Sequence, residues 1–230
     1  MAVVALDTQT DPATGVDATY ETDNYRAGEL IGEWARAKFA RNSVEPKVAM
    51  IDVSADHITV DVQRHNGFLK GFGIAVKGPK TWEEVSDPRI VAVGVGHIAL
   101  DESRSTMENL LQANPDINLV YTVNETTAFG AIQAIKAAGL SEQITVVSID
   151  GSCAGIDALK SGMLHATVQQ FPKRMAELGV VALVDYVKNG KKPTNAGGKA
   201  ATDAGTVLIT SDTQAGIASI DVAEGQEACF

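Results

Sequence analysis

Residues 117–150 read INLVYTVNETTAFGAIQAIKAAGLSEQITVVSID, in which two short apolar runs flank a helical pattern at 126–138. Short runs of continuous apolar and β-branched residues are typical of strands that are buried on both faces. Gly139 directly follows the helical pattern and suits a left-handed C-cap, which marks the end of the helix. The segment therefore predicts a strand, a helix and a second strand.

The same alternation extends over most of the 230 residues. Further strands are predicted by the apolar runs MAVVALD (1–7), KVAMID (47–52) and RIVAVGV (89–95). Further helical patterns occur at 24–40, about 61–77, 101–113, 153–161 and 172–189. Alternating strands and helices predict a parallel sheet covered by helices on both sides, a doubly wound α/β architecture. Residues 191–205, followed by the short apolar run TVLIT (206–210), are interpreted as a loop or crossover.

Composition excludes several classes of function. The net charge is −10, from 19 Lys and Arg against 29 Asp and Glu, and it would repel a phosphate backbone or an anionic membrane surface. No stretch approaches the roughly 20 apolar residues of a membrane span. We therefore expect no nucleic-acid partner and no direct membrane insertion. Cys153 and Cys229 lack CxxC spacing, and the residues alone leave open whether they are two buried thiols or one bridge.

Polar residues follow three of the apolar runs: Asp7, Asn124 and Asp150. Ligands of open α/β sheets bind beyond the carboxyl ends of the strands, so these side chains are candidate ligand contacts. Asp and Asn are also preferred helix N-caps, and this alternative stays open for each residue alone. We expect all three to lie at one edge of the sheet, which favours a ligand.

Catalytic and metal-binding patterns are missing from the sequence. It contains no GxSxG, HExxH, P-loop or strand-linked GxGxxG motif, so an enzyme on a similar sheet is the weaker alternative. The histidines show no metal-ligand spacing and are interpreted as structural: His57, His65, His97 and His165. We expect no enzymatic activity, no cofactor and no metal.

Ordered motifs along nearly the whole chain resemble the type I periplasmic sugar-binding proteins of ABC importers. These motifs are ALDT (5–8), TDNYRAGELIGEW (22–34), RHNGFLKGF (64–72), NLLQANPDINLVYTVNETTAFGAIQAI (109–135), VVSIDG (146–151) and ATVQQFPKRM (166–175). The similarity is greatest to the ribose- and fructose-binding group. It implies a two-lobed fold of doubly wound parallel sheets and a monosaccharide bound in the cleft between the lobes.

The resemblance assigns the ligand contacts residue by residue. It places Asp7 in the first lobe, with Thr8 where the family often has an arginine, and it adds Arg64, Asn124, Asp150 and Gln170. Planar carboxylate, amide and guanidinium groups suit a sugar because each can hold two neighbouring hydroxyls. The fructose-type pattern also implies a disulfide between Cys153 and Cys229.

The lobes follow from the same resemblance. Residues 1–22 and 171–202 are expected to be what remains of an N-terminal lobe, and residues 23–170 and 203–230 to form the C-terminal lobe. We expect the chain to be amino-terminally truncated, with an incomplete first lobe and without its signal peptide. The implied location is the periplasm, and the implied partners are the permease subunits of an ABC importer. The alternative is the effector-binding domain of a LacI-type transcription regulator without its DNA-binding part.

Overall fold

A computed structural model describes all 230 residues, which divide into two compact units. Unit 1 comprises Met1–Asn24 and Gln170–Thr206, and unit 2 comprises Tyr25–Gln169 and Val207–Phe230. In chain order the elements are β1 (Val4–Leu6), β2 (Ala18–Glu21), α1 (Asn24–Asn42), β3 (Val48–Asp52), α2 (Thr59–Gly71), β4 (Ile90–Val95), α3 (Leu100–Ala113), β5 (Leu119–Thr122), α4 (Glu125–Ala137), β6 (Thr145–Asp150), α5 (Cys153–Lys160), β7 (Ala166–Gln169), α6 (Pro172–Asn189), β8 (Thr202–Asp203), β9 (Val207–Thr210) and α7 (Val222–Ala228).

Unit 2 is built on a six-stranded sheet of order β4-β3-β5-β6-β7-β9. Neighbouring strands are parallel except β9, which is antiparallel to β7. Successive residues of β3 enter different cores: Met50 packs in one cluster with Trp34 of α1 and Phe68 of α2, whereas Ile51 packs in the other with Met107 of α3. Helices thus cover both faces of the sheet, which confirms the doubly wound α/β prediction.

Helices α1 and α2 meet backbone against backbone. Each carries two glycines one turn apart, Gly28 and Gly32 on α1 and Gly67 and Gly71 on α2. A Cβ atom on Gly28 would lie 2.2 Å from the carbonyl oxygen of Arg64, and one on Gly71 would lie 2.0 Å from that of Glu29. Since real Cβ atoms do not approach backbone this closely, only glycine permits the packing. The contact fixes the backbone of α2 at Arg64.

Unit 1 contains a three-stranded parallel sheet of order β1-β2-β8. Its small core joins Ala18 and Tyr20 of β2 to Met175 of α6 and to Ala204. The sheet has its own carboxyl edge, distinct from that of unit 2. The unit boundaries fall close to the predicted lobe boundaries, while the assignment of each unit to a lobe stays a prediction.

Several sequence predictions are wrong in detail. The helix expected to reach residue 77 ends at Gly71, and Gly73 then adopts φ +88°, which no helix accommodates. Residues 191–205, interpreted as a loop or crossover, contain the short strand β8, and the apolar run TVLIT that follows them contains strand β9. Strands β2 and β7, with sequences ATYE and ATVQ, were missed because buried polar residues interrupt their apolar pattern. The helix end predicted at Gly139 is confirmed by its positive φ, and Gly162 and Gly190 adopt a positive φ in the same way after α5 and α6.

Candidate functional site

A buried guanidinium lies at the carboxyl edge of the unit 2 sheet. Arg64 reaches this edge from α2, and its side chain is 6% exposed. Its Nη1 donates to the carbonyl oxygen of Val123 at 2.9 Å and lies 3.5 Å from Oδ1 of Asp150, at the end of β6. A buried cation is tolerated when an opposite charge and hydrogen bonds compensate it. The structure therefore joins two of the predicted site residues, Arg64 and Asp150, in one polar group.

Asn124 lies beside this pair at the start of α4. Its Oδ1 accepts a hydrogen bond from the amide of Thr127 at 3.1 Å, so the residue is the N-cap of the helix. The capping role that the sequence left open is therefore real. It occupies only the oxygen of the amide, so the side-chain NH₂ remains available to donate to a ligand.

Glu125, which the sequence analysis did not select, holds the turn after Asp150. Its carboxylate accepts from the amides of Gly151 and Ser152, each at 3.0 Å, from the Ser152 hydroxyl and from the Thr167 hydroxyl at 2.7 Å. Burial raises the pKa of Glu125, while the hydrogen bonds from Ser152 and Thr167 oppose that rise. Its own amide donates to Oδ2 of Asp150 at 3.4 Å. Glu125 thus fixes the backbone that presents Asp150.

Two predicted contacts lie in unit 1. Asp7 follows β1 and adopts φ +75°, and Gln170 accepts a hydrogen bond from the Thr22 hydroxyl at 3.4 Å. The expectation that Asp7 shares a sheet edge with Asn124 and Asp150 is wrong. The chain forms two sheets, and Asp7 ends a strand of the smaller one.

The carboxyl edge of the unit 1 sheet is strongly acidic. Asp7 follows β1, Glu21 is the last residue of β2 and Asp203 is the last residue of β8. Glu21 is 6% exposed, and its Oε2 has no hydrogen-bond partner. Burial first, and then the nearby carboxylates of Asp23, Asp7 and Asp203, raise the pKa of Glu21 to about 7.

Glu21→Gln should remove a pH dependence from the stability of unit 1. Folded Glu21 keeps its proton up to about pH 7, whereas the unfolded chain loses it near the ordinary value of 4.5. The folded state therefore binds more protons in this window, and the free energy of unfolding falls by roughly 2 to 3 kcal/mol as the pH rises through it. Hydrogen exchange of β2 should be slower in the variant than in the wild type at pH 8 and similar at pH 5. Equal exchange at pH 8 would contradict the prediction.

Cys153 and Cys229 are joined by a disulfide, with Cα atoms 4.9 Å apart. Cys153 is the first residue of α5, and Cys229 directly follows α7. The amide of Cys153 also donates to the carbonyl oxygen of Phe230 at 3.1 Å. The C-terminal segment is thus held against α5 within unit 2.

Asp52 ends the run KVAMID in the same way that Asp150 ends its own strand, so the sequence signal was present and overlooked. The structure buries Asp52 and places both of its carboxylate oxygens 3.0 Å from Nδ1 of His65. The other ring nitrogen of His65 lies 3.2 Å from the carbonyl oxygen of Glu83. His65 is therefore enclosed by protein contacts, as the structural interpretation of the histidines predicted.

A sequence profile of the family described as "Periplasmic binding protein domain" matches residues 1–192. The chain belongs to this periplasmic binding protein family. The family consists of solute-binding proteins and not of enzymes, which confirms the prediction of a binding protein. None of the helices could span a lipid bilayer.

Among the relatives in the family, the ribose import binding protein of Haemophilus influenzae is 29% identical over 171 residues, which cover 74% of this chain and 52% of the relative. The D-allose-binding periplasmic protein of Escherichia coli is 29% identical over 182 residues, which cover 76% of this chain and 52% of the relative. The chain spans about half the length of these curated relatives.

Among solved structures, a galactofuranose binding protein superposes with a TM-score of 0.78 at 25% identity. The match covers 99% of this chain and 70% of that one. A solute binding protein from Bacillus halodurans with bound myo-inositol also gives a TM-score of 0.78, at 23% identity, which supports the fold alone. The periplasmic-binding-protein fold predicted from the sequence is thus confirmed.

Proposed function

We propose that this periplasmic binding protein is the substrate-binding component of an ABC importer that takes up a monosaccharide of the ribose or fructose type. The observation that carries the proposal is the buried Arg64 beside Asp150 at the carboxyl edge of the unit 2 sheet. Two of its relatives are named for ribose import and D-allose binding, which supports a sugar as the ligand.

The chemistry of this edge suits a neutral polyol. Each sugar hydroxyl can donate one hydrogen bond and accept others, so it needs acceptors and donors side by side. Asp150 supplies carboxylate oxygens, Arg64 supplies N–H donors and Asn124 supplies its side-chain NH₂. The proposal also keeps Asp7 and Gln170 of unit 1 as ligand contacts.

We also propose that unit 2 is the C-terminal lobe and that unit 1 belongs to the N-terminal lobe. The working partners in this proposal are the membrane permease subunits of the importer. The location is the periplasm or an equivalent compartment outside the cytoplasm. The disulfide between Cys153 and Cys229 supports that location because such bonds persist in oxidising compartments.

Titration calorimetry of the chain with ribose, allose and fructose tests the function, and Asp150→Asn tests the site. The variant keeps the shape of the side chain but loses the charge opposite Arg64, so affinity for the bound sugar should fall by about 2 kcal/mol, roughly 30-fold. Asp157→Asn is the matched control, because Asp157 lies on α5 with its side chain 72% exposed. Its affinity should stay within about twofold of the wild type.

Two results would count against the proposal. Because the chain spans about half the length of its curated relatives, the titration extends to millimolar sugar, and failure of every monosaccharide to bind at that concentration would contradict the proposed function. If Asp150→Asn leaves sugar affinity unchanged, the assignment of the site is contradicted, whereas the proposed function is not.

A further inference from the structure

Each of the three strands of the unit 1 sheet ends in a carboxylate or is directly followed by one. Asp7 follows β1, Glu21 closes β2 and Asp203 closes β8. The strands are parallel, so these three groups lie at the same edge. Backbone hydrogen bonds hold the strands in register at this edge. The amide of Asp7 donates to the carbonyl oxygen of Tyr20 at 3.0 Å, and the amide of Ala204 donates to the backbone carbonyl oxygen of Glu21 at 2.7 Å.

No ion pair reaches Asp7, Glu21 or Asp203. Other carboxylates of unit 1 do have lysine partners, since Lys192 lies 3.2 Å from Asp17 and Lys191 lies 3.5 Å from Asp185. The acidic edge is therefore distinct from the rest of the unit, because its negative charge is not balanced by a basic side chain of this chain.

The buried carboxylate of Glu21 lacks an opposite charge. Its side chain is enclosed, and although its carboxylate accepts a hydrogen bond from the backbone amide of Gln9, its Oε2 receives none. An ionised carboxylate in such a position is unfavourable unless an opposite charge approaches it. At neutral pH the carboxyl is therefore partly protonated, in agreement with its pKa of about 7. A cation at the edge would stabilise the ionised form and release the proton.

No group of three or more His, Cys, Asp or Glu side chains in the chain is arranged to hold a metal ion. A protonated amine needs no fixed coordination geometry as a metal ion does, because each of its N–H donors can bond to a separate carboxylate.

We propose that the carboxyl edge of the unit 1 sheet binds the protonated amine of a ligand, so that the chain prefers amino sugars to the corresponding neutral sugars. This inference rests on the proposed function and narrows its substrate class. The ammonium group would lie among Asp7, Glu21 and Asp203, and Glu21 would ionise as it arrives.

Calorimetry at pH 7 with glucosamine, galactosamine and mannosamine, each compared with its parent hexose, tests the preference. We expect at least one amino sugar to bind about tenfold or more tightly than its parent. Runs in phosphate and in MOPS, buffers with different enthalpies of ionisation, should give different observed enthalpies because binding releases a proton.

Two variants locate the effect. Glu21→Gln should lose the proton release, and Asp7→Asn should lose most of the preference for the amine. Asp185→Asn is the matched control, because this carboxylate lies on α6 of the same unit and pairs with Lys191. It should behave as the wild type does.

Equal affinity for amino and neutral sugars would overturn this inference and leave the proposed function standing, whereas no binding of any sugar would overturn both. An amine preference that survives in both Glu21→Gln and Asp7→Asn would also overturn it, because the amine would then bind elsewhere.

Discussion

Gly28→Ala should destabilise unit 2 by about 3 kcal/mol, although alanine is the better helix former by roughly 1 kcal/mol. The added methyl group would lie 2.2 Å from the carbonyl oxygen of Arg64 and 2.8 Å from the amide nitrogen of Phe68. Both contacts are with backbone, which cannot rotate away as a side chain can. Helices α1 and α2 would have to separate, and the core between them and the sheet would open.

Urea unfolding followed by tryptophan fluorescence measures this loss, because Trp34 is fully buried on α1. Gly15→Ala is the control, since a Cβ there meets only the Thr10 side chain, 3.5 Å from its hydroxyl oxygen and 3.8 Å from its Cβ. It should leave the unfolding midpoint nearly unchanged. An unchanged midpoint for Gly28→Ala would show that the two helices adjust at little cost and that the glycine contact is not required.

Removing the disulfide by the double substitution Cys153→Ser and Cys229→Ser should lower the free energy of unfolding by about 4 kcal/mol, because the unfolded chain gains conformational entropy. The bond closes a loop with a sequence separation of 76 residues, so its loss gives the unfolded chain many more conformations. The double variant avoids the unpaired thiol that a single substitution would leave.

The matched measurement is urea unfolding of the wild type with and without a thiol reductant. Reduction should lower the wild-type midpoint to that of the double variant and leave the double variant unaffected. If the oxidised wild type and the double variant unfold at the same urea concentration, the bond contributes nothing to stability and the prediction fails.

Most of unit 2 could be predicted from the sequence because strands β3, β5 and β6 are continuous apolar runs. Such runs are typical of strands in a sheet that is buried on both faces. The sequence did not reveal β2, where Thr19 and Glu21 are buried polar residues whose environment is set by the tertiary fold. The paired glycines of α1 and α2 are visible as a four-residue spacing, but nothing local indicates that the two helices contact each other.

The candidate site shows the same division. Asp150 and Asn124 could be predicted from their positions after apolar runs, whereas Arg64 could be predicted only from the family resemblance. Glu125 was not predicted, because its importance depends on donors from Gly151, Ser152 and Thr167 that come together only in the folded chain. Separate edges for Asp7 and Asp150 could not be foreseen from strand patterns, which do not say which strands share a sheet.

The glycine contact between α1 and α2 also has a mechanical consequence. Side chains between two helices can absorb small movements by changing rotamer, and at the four glycines no side chain separates the backbones of α1 and α2. A displacement of the α2 backbone at Arg64 should therefore press directly on the backbone of α1 at Gly28. Helix α1 also carries Trp34, whose indole Nε1 donates to the carbonyl oxygen of Asp212 at 2.8 Å. With the second tryptophan, Trp82, replaced by phenylalanine, the emission of Trp34 should report a displacement of α1.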